Sequence, residues 1–220
     1  MLRQKVKWFI SVTLTLLGFG SSIKTATAQT TYEFTANYST AVEINEFRPD
    51  LGIIRATITG ESIGAPFGLE SFISNTYGQL QPSSNPSILK YNFNSDPGAF
   101  GLTNLPVFAD RYFGGSNELF GRASDSAEIN LAEGTIRGGG NITIFDGTGI
   151  FQNATGTITF TQEDRLGPPG TPSQGLATLN FSIRTPRTVP EPTATTTLVA
   201  IGLTGASLIL SQSRRKGSSN

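Results

Sequence analysis

The chain has 220 residues, room for one domain plus targeting segments. Apolar residues make up 37%, enough for a core, and 25 Gly with 12 Pro point to many turns. Cysteine and histidine are both absent, which excludes a disulfide framework, a zinc–thiolate site, a thiol nucleophile and every histidine-dependent triad. Carboxylate, Ser/Thr, Tyr and Lys chemistry remain. The formal net charge of zero averages unlike parts: the ends are basic, while Gln29 to Arg187 carries nine Lys/Arg against fifteen Asp/Glu. That middle is repelled by phosphate backbones, so no nucleic-acid binding is expected.

Residues 1–28 read as a secretory signal peptide. Arg3, Lys5 and Lys7 form its basic start and Trp8 to Phe19 its apolar stretch. Ala26-Thr27-Ala28 is the small-x-small pattern that signal peptidase needs, with the cut before Gln29. An uncleaved N-terminal anchor is the alternative.

Residues 29–187 read as one all-β extracytoplasmic domain. In Ala177 to Arg184, the apolar Ala177, Leu179, Phe181 and Ile183 alternate with Thr178, Asn180, Ser182 and Arg184, as a half-buried antiparallel strand requires. Thr155 to Gln162 repeats the pattern with Ile158 and Phe160 facing in, and Tyr32 to Tyr38 alternates likewise. Further strands are expected at Ile53 to Thr59, Ile88 to Phe93, Ser126 to Leu131 and Gly140 to Phe145. Turn formers separate them at Arg48-Pro49-Asp50, Ser83 to Pro86, Asp96-Pro97-Gly98 and Asp146-Gly147. Short strands punctuated in this way predict an antiparallel β-barrel or β-sandwich. Gly60 to Asn75 and Pro97 to Gly115 read as long loops or irregular edge strands. The aromatics Phe100, Phe108, Tyr112 and Phe113 either belong to the core or cover an open end. Arg165 to Gln174 reads as a surface loop joining the last two strands.

No catalytic residue, cofactor or metal site emerges. Asp146-Gly147-Thr148-Gly149 reads as a hairpin turn, since a calcium loop needs more oxygen ligands at alternating positions. Gly138-Gly139-Gly140 lacks the Lys-Ser/Thr of a phosphate cradle and reads as a bulge or a close approach between strands. Glu128 and Glu133, or Glu43 and Glu46, cannot be placed as a glycosidase pair from spacing alone, and most acids are expected to be solvated. The Asn-x-Ser/Thr triplets at Asn37, Asn141, Asn153 and Asn180 matter only in a glycosylating eukaryotic route.

The segment from Gly147 to Gly156, reading Gly-Thr-Gly-Ile-Phe-Gln-Asn-Ala-Thr-Gly, resembles a Gly-x-Gly-x-Phe-x-x-Ala-x-Gly stretch of the allene oxide cyclase and dirigent-like barrels. The resemblance implies glycines at a turn and a tight strand entry, with the aromatic packed inside an eight-stranded antiparallel barrel. It carries over no catalytic residue.

Residues 188–220 hold Val189-Pro190-Glu191-Pro192, an uncharged run from Thr193 to Ser213 with its apolar centre at Leu198 to Leu210, and the cluster Arg214-Arg215-Lys216. The run is about long enough for one transmembrane helix, and the basic tail behind it is retained in the cytoplasm. The three features together resemble the PEP-CTERM sorting domain of exopolysaccharide-producing Gram-negative and cyanobacterial envelopes, with Pro190, Glu191 and Pro192 as its signature. This implies recognition by an exosortase, a membrane transpeptidase, and cleavage near the motif. A plain membrane anchor is the alternative. A GPI signal fits worse because the end is charged.

The expectation is an exported envelope protein, in the inner membrane before processing and at the cell surface or in the extracellular matrix afterwards. One functional reading is a non-enzymatic surface protein whose Thr/Ser/Asn-rich face meets exopolysaccharide. Another is a small-molecule-binding or isomerase-like barrel, and a third, a glycan-cleaving enzyme, needs a carboxylate pair. A closed barrel with a lined cavity favours the second reading, and a filled core the first.

Overall fold

The computed structural model describes residues 28–187. Their strands are β1 (Ala28–Arg48), β2 (Ile53–Glu61), β3 (Ser71–Gln81), β4 (Ile88–Asn94), β5 (Asp110–Gly114), β6 (Asn117–Asn130), β7 (Thr135–Thr148), β8 (Thr155–Arg165) and β9 (Ser173–Arg187). They form one nine-stranded antiparallel sheet in the order β2-β1-β9-β8-β7-β6-β4-β3-β5, with β2 also paired to β3 and β5 to β6. The β2–β3 pairing closes the ring, so the expected barrel or sandwich is a barrel.

Strands β4 and β5 share one position in the ring. Tyr77 to Gln81 of β3 pairs with β4, and Ser71 to Ile73 pairs with β5. On the other side, Ser124 to Asn130 of β6 pairs with β4 and Asn117 to Gly121 with β5. The two are one stave interrupted by residues 95–109, so nine strands fill eight positions.

Alternation along each strand sends one set of side chains into the barrel. From β1 come Ala36, Tyr38, Thr40 and Val42; from β8, Ile158, Phe160, Gln162 and Asp164; from β9, Ala177, Leu179, Phe181 and Ile183. One end is packed shut by aromatics. Phe34 stacks on Phe181 at 4.4 Å, while Tyr32 meets Phe67 and Phe151 edge-on at 5.3 Å and 5.1 Å. Phe151 and Ala154 are fully buried there, and Gly149 turns the chain in the left-handed conformation. This is the arrangement that the resemblance of Gly147–Gly156 implies.

Several expectations are corrected. Gly60 to Asn75 and Pro97 to Gly115 are not loops throughout, because β3 begins at Ser71 and β5 occupies Asp110–Gly114. Asp146-Gly147 is not a turn. Strand β7 runs through it to Thr148, with Phe145 as the extra residue of a bulge opposite Phe120 and Gly121, and the reversal falls at Gly149–Phe151. Gly138 to Gly140 pair regularly on both sides, so they are no bulge. The close approach is real, because a Cβ on Gly140 would overlap Asp125.

Of the four aromatics in question, Tyr112 joins the inner core. Phe100 and Phe108 neither cap an end nor enter it. With Leu102, Leu105 and Phe47 they form a second cluster between residues 95–109 and the outer faces of Ile53 and Tyr77. Arg55 lies in that cluster, its guanidinium 3.8 Å from the Phe47 ring centre, and the Tyr77 hydroxyl donates to the Pro106 carbonyl at 3.0 Å. Phe113 faces outward beneath Arg111.

No helix among the described residues is long and apolar enough to cross a membrane. Ala26 of the signal site, the run Leu198 to Leu210, Pro190, Glu191, Pro192, Arg214, Arg215 and Lys216 lie outside the described residues, which begin at Ala28.

Candidate functional site

The barrel lumen holds two small chambers that meet at Ile58, Asp125, Phe160 and Gln162. The inner one, about 20 Å³, is walled by Phe72, Tyr112, Ala123, Ile142, Ala177 and Leu179, with Ser74 and Asp110 among them. The outer one, about 40 Å³, lies between Val42, Ala56, Phe93, Ile129 and Ile136. Its rim includes Ile44, which is 40% exposed. A water needs ~10–15 Å³ of such space. The chambers therefore take a few waters or one functional group of a larger molecule.

Glycines open this space. Gly138 and Gly140 face inward from β7 beside Ala127 and Asp125 of β6 and opposite Phe160 and Gln162 of β8. Gly175 of β9 does the same between β1 and β8. With no side chain there, Thr40 reaches across β9 and donates to Asp164 Oδ1 at 2.6 Å.

Three carboxyls point into the barrel, against the expectation that acids are solvated. Asp110 is completely buried. Its Oδ1 accepts from the Ser74 hydroxyl at 2.7 Å, while its Oδ2 has no partner among the described residues. Burial pushes its pKa up to about 7, helped by the charge of Asp125 and opposed by the Ser74 hydrogen bond. Asp125 lies on the wall where the chambers meet, and burial pushes it up to about 7 as well. Asp164, 1% exposed, is raised by burial but accepts from Thr40 and from Gln162 Nε2 at 2.8 Å, which favour its ionised form. Tyr38 and Tyr112 are also buried and held in their neutral forms. Tyr38 donates to the Leu69 carbonyl at 2.6 Å.

Asp110 and Asp125 can thus hold and exchange a proton near neutral pH, and Asp110 Oδ2 can accept a hydrogen bond or donate one when protonated. Among the described residues no cluster of three or more acids is arranged to hold a metal ion. The pairs singled out in sequence stay apart from this site. Glu43 and Glu46 lie on β1, while Glu128 faces out toward Lys90 and Glu133 approaches Arg137.

The lumen acids had signals in the sequence. Leu119, Gly121, Ala123, Asp125, Ala127 and Ile129 form one inward stripe, and continuing Ile158 and Phe160 by twos reaches Gln162 and Asp164. Asp110 had none, because β5 is too short to show a period.

Fold and site define a closed antiparallel β-barrel with an acid-lined lumen. No family model and no curated protein matches the chain. Among solved structures, a pterocarpan synthase dirigent protein is similar at 10% identity over 77% of this chain and 99% of its own, with a TM-score of 0.32. That likeness is too loose to carry an argument, and the barrel rests on its own hydrogen-bond register.

Proposed function

We propose that the protein is an exported envelope protein whose barrel binds a small molecule, with the polar end of the ligand in the lumen and its apolar body in the mouth. The observation that carries this reading is Asp110 Oδ2, a carboxyl oxygen sealed from solvent, without a partner among the described residues, beside a chamber. Leaving a buried polar group unpaired costs ~1–3 kcal/mol, and a ligand hydroxyl or N–H removes that cost. The rim and outer chamber offer Val42, Ile44, Ile129 and Ile136 to an apolar body. Phe160, half-buried where the chambers meet, stands between the rim and the chamber beside Asp110.

Export and sorting rest on the sequence alone. Ala26 and Ala28 mark signal-peptidase cleavage, Pro190, Glu191 and Pro192 are the exosortase motif, and Arg214, Arg215 and Lys216 hold the cytoplasmic side.

1-Naphthylamine, a fluorescent aromatic body with one terminal amino donor, tests the lumen reading by fluorescence titration. Saturable one-to-one binding is expected, weakened about tenfold in Asp110→Leu and abolished by Ile136→Trp, which fills the mouth. Binding indifferent to both substitutions, or no binding at all, overturns the reading.

A further inference from the structure

The outside of the barrel can be followed across strands as well as along them, because paired residues share a face. One row on the outer face runs Asn94, Ser124, Asn141, Thr159, Asn180, Thr35 over β4, β6, β7, β8, β9 and β1. The adjacent row runs Asn92, Ser126, Gly139, Thr161, Thr178, Asn37 over the same strands. None of these residues is charged or aromatic. The next row toward the mouth has the opposite character: Lys90, Glu128, Arg137 and Glu163 stand in register, joined by ion pairs at 3.5 Å and 3.2 Å.

We propose that this belt is a docking surface for an extended neutral polysaccharide, lying across the strands. This is a site separate from the lumen, and it gives a location to the exopolysaccharide partner expected from sequence. Three observations choose that occupant. The belt is uncharged inside an acidic domain, which removes the reason for a charged partner to settle there. Its floor is short: an open depression of about 400 Å³ lies beside Thr35, Thr159 and Asn180 with Glu33 at its edge, and one of about 380 Å³ beside Asn92, Ser124 and Ser126 with Phe100 at its edge. The long side chains of the charged row stand along one side.

The spacing also fits. Neighbouring strands are ~4.8 Å apart, close to the roughly 5 Å repeat of an extended β-linked hexose chain, so successive sugars meet successive strands. Ser124, Ser126, Asn141, Thr159 and Thr161 are exposed and offer donors and acceptors to sugar hydroxyls. On this view the Asn-x-Ser/Thr triplets at Asn37, Asn141 and Asn180 record the alternation of the belt, because residues two apart share its face.

The test is affinity electrophoresis of the mature protein through gels containing hydroxyethylcellulose, a neutral glucan, or alginate, a charged one. Retardation by the neutral glucan is expected. It should fall at least tenfold in the variant Asn141→Leu, Thr159→Val, Thr161→Val, and stay unchanged in Arg184→Gln and in the lumen variant Ile136→Trp. Asn141, Thr159, Thr161 and Arg184 are exposed strand positions, whereas Ile136 is buried in the lumen wall, and circular dichroism verifies the fold of every variant. Retardation by alginate alone, no retardation in either gel, or retardation that survives the triple substitution overturns the proposal. So does concentration-dependent self-association that the triple variant loses, since the belt would then join copies of this chain.

Discussion

Replacing Asp110 by Asn should change how stability depends on pH, and the size of the change follows from burial. The Asp110 carboxyl titrates near 3.8 when exposed and near 7 in the barrel. Between those values the folded chain keeps a proton that the unfolded chain has released, so stability falls as pH rises from about 4 to about 7 and levels off above. Three pK units at ~1.4 kcal/mol each set the loss at about 4 kcal/mol. Asparagine keeps the Oδ1 that accepts from Ser74 and never ionises. Its amide occupies the place of the protonated Oδ2. The gap between variant and wild type should therefore open by about 4 kcal/mol in favour of the variant between pH 4 and pH 8, with the carboxyls other than the coupled Asp125 cancelling in the difference. Urea unfolding followed by far-ultraviolet circular dichroism measures it, since the described residues contain no tryptophan. Parallel pH profiles for the two proteins would refute the reasoning.

Gly175→Ala should cost roughly 2 kcal/mol or more, because the added methyl overlaps the Glu163 carbonyl and the Asp164 backbone and blocks the Thr40–Asp164 contact; a thermal melt reads it. Tyr38→Phe leaves the buried Leu69 carbonyl without its 2.6 Å donor and should cost ~1–3 kcal/mol, measured by urea unfolding. Arg55→Met removes a cation from the Phe47, Tyr77 and Phe108 rings at ~1 kcal/mol. Limited proteolysis should then cut residues 95–109 faster while the rest of the barrel stays resistant. The intact mass of protein from envelope and culture fluid should begin at Gln29 and end near Pro190 to Pro192. A mass retaining Arg214 to Lys216 would make the C-terminus an ordinary anchor.

Strands with one wet face were legible in the sequence. Ala177 to Arg184 and Thr155 to Gln162 lie within β9 and β8 because their outer faces meet solvent and keep the period clean. Strand β3 was hidden because residues 95–109 cover its outer face at Tyr77, so apolar Ile73 and Tyr77 lie on one side while Phe72, Ser74 and Thr76 face the other. Its inward polar residues further blur the alternation. Gly138 to Gly140 showed that backbones come close there, but the lumen space they leave depends on what stands opposite on β6 and β8. The same limit applies to the acids. Asp125 and Asp164 are inward by parity, whereas the meeting of Asp110 with Ser74 joins residues 36 apart in the chain and follows from the antiparallel pairing of β3 with β5.

Carbon-13 NMR of the aspartate carboxyls, assigned with Asp110→Asn, tests the lumen site most directly. The account predicts an Asp110 resonance that titrates near 7 and shifts when 1-naphthylamine saturates the protein. An Asp110 carboxyl that titrates near 4, or one that does not move when the probe is bound, would contradict it.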